Sequence, residues 1–230
     1  MNLRQLYDRE SSTYTYLIWD EETAEAALID PVDTQVERDL RLVGELGLKL
    51  RYTFETHIHA DHITGSGRIR ESSGARTVLH RNSGADCADL LVVDGDQFSL
   101  GDQVIQVMET PGHTNTCVCY QISGVVFTGD TLLIRGCGRT DFQSGDPGKL
   151  YDSIHEKLFP LPDDTVIYPA HDYHGLPLST IGEERAYNPR LGNNRSRRSF
   201  IELMDNLVLE PPAKIEEAVP GNLACGLRQG

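Results

Sequence analysis

Along the chain, runs in which apolar and polar side chains alternate take turns with stretches in which apolar residues return every three to four positions. Strand signals come first at 14–19 and 26–29, and a helix is predicted over 35–46, where Val36, Leu40, Val43 and Leu46 share one face. The β-formers Tyr52, Thr53 and Phe54 mark a strand over 48–55, followed by a helical stretch from 63 through 70. Short strands are then predicted at 77–79, 91–93, 97–100, 104–109, 116–122 and 125–128, a further helix at 149–159 and a strand at 165–168. Asp94-Gly95, Leu100-Gly101-Asp102 and Ser123-Gly124 supply turn chemistry between these strands. Two runs of strands interleaved with helices predict an α/β fold, an αβ/βα sandwich of two packed sheets with helices on the outer faces. From His174 onward the pattern becomes polar, with helices near 181–187 and 199–207 and then a Pro-rich stretch. The expected organisation is a core over 1–175 and an extension over 176–230 that packs on it as part of the same domain.

Composition narrows the partners. The 230 residues carry 21 Lys and Arg against 35 Asp and Glu, a net charge of -14, which speaks against nucleic acid and anionic membranes and for a small molecule or a protein. No stretch is apolar enough to span a bilayer, and the opening residues carry neither a basic start nor an apolar run, so no targeting segment is expected. Without an export signal, the acceptor-like Asn194-Arg195-Ser196 carries no weight. Cys87, Cys117, Cys119, Cys137 and Cys225 are odd in number and form no CxxC pair, which reads as reduced thiols in a cytoplasmic protein.

Candidate chemistry is concentrated in Thr56-His57-Ile58-His59-Ala60-Asp61-His62, where three histidines and an aspartate fall in a strand-to-helix turn. Imidazoles and carboxylates clustered in this way suit Zn, Fe or Mn. Pro111-Gly112-His113-Thr114, Phe127-Thr128-Gly129-Asp130 and Pro169-Ala170-His171-Asp172 each place a His or Asp just past a predicted strand. Strand ends gather ligands in layered α/β folds, so His57, His113, Asp130 and His171 are expected to converge. Gly65-Ser66-Gly67 lacks the third glycine of a dinucleotide fingerprint and reads as close packing. His80 and His155 read as surface or core histidines, and Cys117 and Cys119, on one face of a strand, as core thiols.

These motifs resemble the metallo-β-lactamase superfamily, whose pattern is HxHxDH, a His, a bridging Asp and a last His. The resemblance implies that superfamily's fold of two mixed β-sheets with outer helices, but leaves the reaction open. The run Gly129 to Asp146, with Tyr168 to Gly175 and the Asn188-Pro189-Arg190-Leu191 motif, looks like the persulfide dioxygenase family. That resemblance implies one Fe(II) per chain on His57, His113 and Asp130, with His59, Asp61, His62, His171 and Asp172 around the ligands. Two histidines and a carboxylate make the facial triad of non-haem iron oxygenases. The implied substrates are glutathione persulfide and O2, with glutathione held at Arg139, Tyr173 and Arg190, and the implied products are sulfite and glutathione. A homodimer is also implied. One departure is Asn115-Thr116, where the family commonly has Pro-Gly.

Arg185, Arg190, Arg195, Arg197 and Arg198 concentrate positive charge in one stretch, and guanidinium groups suit the two carboxylates of glutathione. Arg195, Arg197 and Arg198 read as a solvated helix face. The alternative is a glyoxalase II-like hydrolase of glutathione thiolesters, which would use the same His/Asp set for two metals. Thr140-Asp141-Phe142 and the short C-terminal stretch argue against it.

Overall fold

The strand signals resolve into two six-stranded sheets in a computed structural model that describes residues 1–212 and 214–227. The first runs in chain order, β1 (Asn2–Asp8), β2 (Thr13–Trp19), β3 (Glu25–Ile29), β4 (Lys49–Phe54), β5 (Arg76–His80) and β6 (Leu90–Val92). The second has the order β12-β11-β10-β9-β8-β7, built from β7 (Gln97–Leu100), β8 (Gln103–Glu109), β9 (Val118–Ile122), β10 (Val125–Gly129), β11 (Val166–Pro169) and β12 (Ser179–Thr180). Both are mixed. β1 to β3 are antiparallel and β3 to β6 parallel, while β10 pairs parallel only with β11. The helices are α1 (Val36–Glu45), α2 (Ser66–Ser73), α3 (Pro147–Ser153), α4 (Ile181–Tyr187), α5 (Arg197–Asp205) and α6 (Ile215–Leu223).

The contacts divide the chain into two compact units. The first holds Met1–Val92, Gln97–Ile105 and the described residues of 211–230, and the second holds Val93–Asp96 and Gln106–Glu210. The stretch after residue 175 is therefore shared: its first part belongs to the second unit, and α6 belongs to the first. Residues 213 and 228–230 of the expected extension lie outside the described residues.

In the first unit, Val36 and Val43 of α1 and Ile69 of α2 pack with Leu17, Leu28 and Leu50 of the sheet. In the second, Leu150 of α3, Ile181 of α4 and Phe200 and Met204 of α5 pack with Val126 and Ile167. Each such side chain, once fully buried, contributes about 1.5–3 kcal/mol.

Several elements depart from the sequence reading, β1, α3 and α6 among them. β1 was not expected, because its side chains are mostly half-exposed and carry little alternation. The helix expected over 149–159 begins at Pro147, capped by Asp146, and widens at its end, where the Phe159 amide bonds to the Ile154 carbonyl five residues back. α6 forms within the Pro-rich stretch, with Pro220 inside it.

Candidate metal centre

In the first unit, parallel pairing of β3, β4 and β5 aligns their carboxyl ends, where ligands bind in open α/β sheets. Asp30 follows β3 with φ 50°, a strained setting for a residue other than glycine. Its Oδ1 accepts the Thr56 amide at 2.7 Å and its Oδ2 the Thr56 hydroxyl at 2.8 Å. Because that hydroxyl proton is spent on Asp30, Thr56 Oγ1 accepts from His57 Nδ1, 3.1 Å away. The relay fixes the His57 tautomer so that Nε2 is the nitrogen that could ligate a metal.

His59, Asp61 and His62 offer one ligand atom each within 4.8 Å of one another. His59 Nε2 lies 3.2 Å from Asp30 Oδ1 and 3.4 Å from Glu55 Oε2. Burial opposes the charged imidazolium, but Asp30, Glu55 and Asp61 outweigh it and hold the His59 pKa well above the ordinary histidine value. His62 Nδ1 donates to Asp61 Oδ2 at 2.8 Å. On the far side of each ring a buried nitrogen, His59 Nδ1 and His62 Nε2, makes no hydrogen bond. Glu55 Oε1 in turn accepts the Thr64 hydroxyl at 2.5 Å and that of Ser66.

In the second unit, β8, β10 and β11 deliver His113, Asp130 and His171 respectively. His113 Nδ1 donates to the Arg139 carbonyl at 2.6 Å, which again leaves Nε2 as the nitrogen that could ligate a metal. That nitrogen is 3.5 Å from Asp130 Oδ2, and His171 Nε2 is 3.7 Å from Asp130 Oδ1. Gly112 has φ 144°, and a Cβ there would lie 2.2 Å from the Leu150 amide, so only glycine lets the His113 turn reach α3. Asp130 Oδ1 is buried without a hydrogen bond. A carboxylate oxygen left so would be costly without a cation to meet it, and this orphaned acceptor beside two imidazoles fits a divalent metal ligand set.

The expected substrate side chains all lie in the second unit. Arg139 makes a bidentate pair with Asp141, at 2.7 Å for each bond, and donates to the carbonyls of Leu209 and Glu210. Arg139 holds the Asp141 carboxyl below its ordinary range. Arg190 donates to the Cys137 carbonyl at 2.9 Å. Tyr173 is 69% exposed and stacks on His171 with the rings 9° apart. Asp172 Oδ2 accepts the amides of His174 and Leu176, both at 2.7 Å, and so shapes the turn that presents Tyr173.

The reading of five reduced thiols is corrected by the structure. Cys87 and Cys225 form a disulfide, brought to a Cα separation of 6.0 Å across 138 residues that sequence spacing could not evaluate. Cys117 and Cys119 are buried thiols outside any disulfide, as expected of core residues, and Cys137 is buried likewise. Burial pushes the Cys117 thiol up to about 12 and the Cys137 thiol up to about 11, which keeps both unreactive. Sequence reasoning also missed Asp30, Glu55, Thr56 and Asn222. Asp30 carried a signal in the Leu28-Ile29-Asp30-Pro31 strand end, whereas Asn222 carried none.

A family model described as the metallo-beta-lactamase superfamily matches residues 8–171. Mouse (Mus musculus) mitochondrial persulfide dioxygenase ETHE1 is 52% identical over 98% of this chain and 89% of its own length. A hydroxyacylglutathione hydrolase from Maricaulis maris is 39% identical over 71% of this chain and 63% of its own. The crystal structure of ETHE1 from Myxococcus xanthus superposes with a TM-score of 0.96 at 53% identity, covering 99% of this chain and all of that one. The chain belongs to the metallo-beta-lactamase superfamily and, within it, to the persulfide dioxygenase family. The expected fold class, two mixed sheets with helices, is that of these structural neighbours.

Proposed function

We propose that this protein is a persulfide dioxygenase that oxidises glutathione persulfide with O2 and water to sulfite and glutathione. The observation that carries the reading is the similarity to the mouse enzyme over nearly the whole of both chains, whereas the hydrolase relative matches a shorter part. His57, His113 and Asp130 hold one Fe(II), which supplies the redox chemistry that joins oxygen to sulfur. The relay from Asp30 through Thr56 orients His57 to ligate through Nε2, and the Arg139 carbonyl does the same for His113. His59, Asp61, His62 and His171 hold water and orient the ligand turns, and Asp172 keeps Tyr173 beside His171.

Arg139, Tyr173 and Arg190 bind the glutathione moiety so that only the terminal sulfur advances, which is a positioning role. Arg139 already forks onto Asp141, so a glutathione carboxylate replaces or extends that pair rather than meeting a bare cation. A homodimer in the cytoplasm completes the reading. Among the described residues no helix is long and apolar enough to cross a membrane.

Oxygen consumption on adding glutathione persulfide to anaerobically purified protein, with metal content measured on the same sample, tests the reading. Uptake with about one iron per chain is expected of a facial triad. No uptake with about two metals per chain would move the protein to thiolester hydrolysis. Asp130→Ala is expected to lose both iron retention and turnover, and full activity with bound iron in that variant would sink the ligand assignment.

A further inference from the structure

The first unit holds its ligand turn from an unexpected direction. Asn222, buried on α6, places its amide among three backbone groups of the turn. Its Oδ1 accepts the Thr64 amide at 2.7 Å, and its Nδ2 donates to the carbonyls of His59 and His62, both at 2.9 Å. These groups belong to the segment that carries His59, Asp61 and His62 and directly follows His57. One side chain therefore satisfies backbone groups that no ladder or helix bond serves, and it sets the path of the chain between ligands.

The next residues reinforce this grip. The Gly67 amide donates to the Cys225 carbonyl at 2.8 Å, and a Cβ on Gly67 would lie 2.5 Å from that oxygen. The close-packing reading of Gly65-Ser66-Gly67 is thus explained: the chain after α6 runs backbone against backbone over the start of α2. Cys225 itself is 1% exposed in a cluster with Ile58, Leu79 and Ala85, and its sulfur is bonded to Cys87, which is partly exposed. Val219 packs against the same cluster and Ala218 is fully buried. The Lys214–Glu10 ion pair is exposed, and pairs of that kind contribute little.

We propose that the segment from α6 to Cys225 is a strut for the metal-ligand turn, with Asn222 its positioning residue and the Cys87–Cys225 disulfide a thiol-exchange site that releases it. A low-molecular-weight thiolate attacks Cys87 Sγ, the accessible sulfur; the protein S–S bond breaks and Cys225 leaves as a thiolate that takes a proton from water. A second thiol attacks the mixed disulfide, forming a small-molecule disulfide and releasing Cys87. The protein is reduced by two electrons and two thiols are oxidised. Expelling a thiolate into the apolar Cys225 cluster is unfavourable, so exchange proceeds as the segment lifts from the turn. The proposal rests on the metal-centre reading only for its effect on iron.

Reduced glutathione is the probe, with hydrogen exchange, maleimide counting and iron transfer to a chelator as readouts. Maleimide is expected to label Cys87 and Cys225 after glutathione treatment, with Cys117, Cys119 and Cys137 untouched. In metal-free protein the Thr64 and Gly67 amides exchange faster after reduction and in Cys87→Ser, and Thr64 faster in Asn222→Ala. In iron-loaded protein Asn222→Ala is expected to weaken metal retention by about 10-fold, as loss of a residue supporting a ligand does. Unchanged Thr64 exchange in Asn222→Ala overturns the strut. Absent labelling, or exchange that reduction does not alter, overturns the thiol site. Because the exchange arm uses metal-free protein, a wild type that retains no iron counts against the metal-centre reading alone. Reduction of the wild-type protein needs no substitution, so a variant that fails to fold leaves the test intact.

Discussion

Asp39 shows how a single side chain carries a cost imposed by its place in the fold. It is fully buried on α1, where Oδ1 accepts from Arg38 Nε at 2.8 Å and Oδ2 makes no hydrogen bond. Burial pushes its carboxyl up to about 6 from an ordinary 3.8, against the pull of Arg38. The folded state therefore binds the proton more tightly than the unfolded chain does. Its contribution to stability is complete below the unfolded value and is lost as pH rises through about 6. A shift of that size corresponds to about 3 kcal/mol. Asp39→Asn is expected to remove this slope and to stabilise the protein at neutral pH, as urea unfolding on both sides of the window would show. A variant with the wild-type slope would mean that the buried carboxylate is not the source. At the same scale, the ligand-type histidines of the first unit were legible because His57, His59 and His62 are packed into one turn. The tautomers of His57 and His113 were not, since these depend on Asp30 and Thr56 and on the Arg139 carbonyl.

At the scale of elements, periodicity located most strands and helices because their faces are sorted between core and solvent, as in α1, where Val36 and Val43 are buried. The boundaries depended on capping. α3 begins two residues before the expected position because Asp146 Oδ1 accepts the Lys149 amide at 3.0 Å and Pro147 occupies the first turn. Asp146→Ala is expected to cost about 1 kcal/mol, measured by denaturant unfolding, whereas an unchanged midpoint would show the helix start to be held by packing alone. β1 and α6 escaped notice for a shared reason. Neither carries a clean apolar face of its own, and each is held by a partner, β1 by its pairing with β2 and α6 by the bonds of its Asn222 to the turn of His59, His62 and Thr64.

Across the whole molecule, the proposed ligands are spread from His57 to Asp130, so metal binding is expected to report on folding. A metal that binds the folded chain and not the unfolded one stabilises by mass action, about 2.7 kcal/mol at a hundredfold excess over Kd. Anaerobic Fe(II) is accordingly expected to raise the Tm of wild-type protein and to leave that of Asp130→Ala unchanged, by differential scanning calorimetry. An equal rise in both would place the metal elsewhere. The net charge of -14 bears on partners rather than on fold, and the cationic residues proposed for the substrate, Arg139 and Arg190, are local exceptions to it.

By itself the sequence determined the alternation of strands and helices, the fold class and the inventory of ligand-type residues. These are set by local periodicity and by short motifs at strand ends, which leave their mark within a few residues. Only the tertiary structure decided which nitrogen of His57 and His113 could meet a metal, that Asp130 Oδ1 is buried without a hydrogen bond, and that Cys87 meets Cys225. It also decided that Asn222 braces the turn of His59 and His62, more than 150 residues away in the chain. A hydrogen bond or a disulfide depends on positions and directions in space, and nothing in the local pattern of a chain records which distant segment will supply the other half.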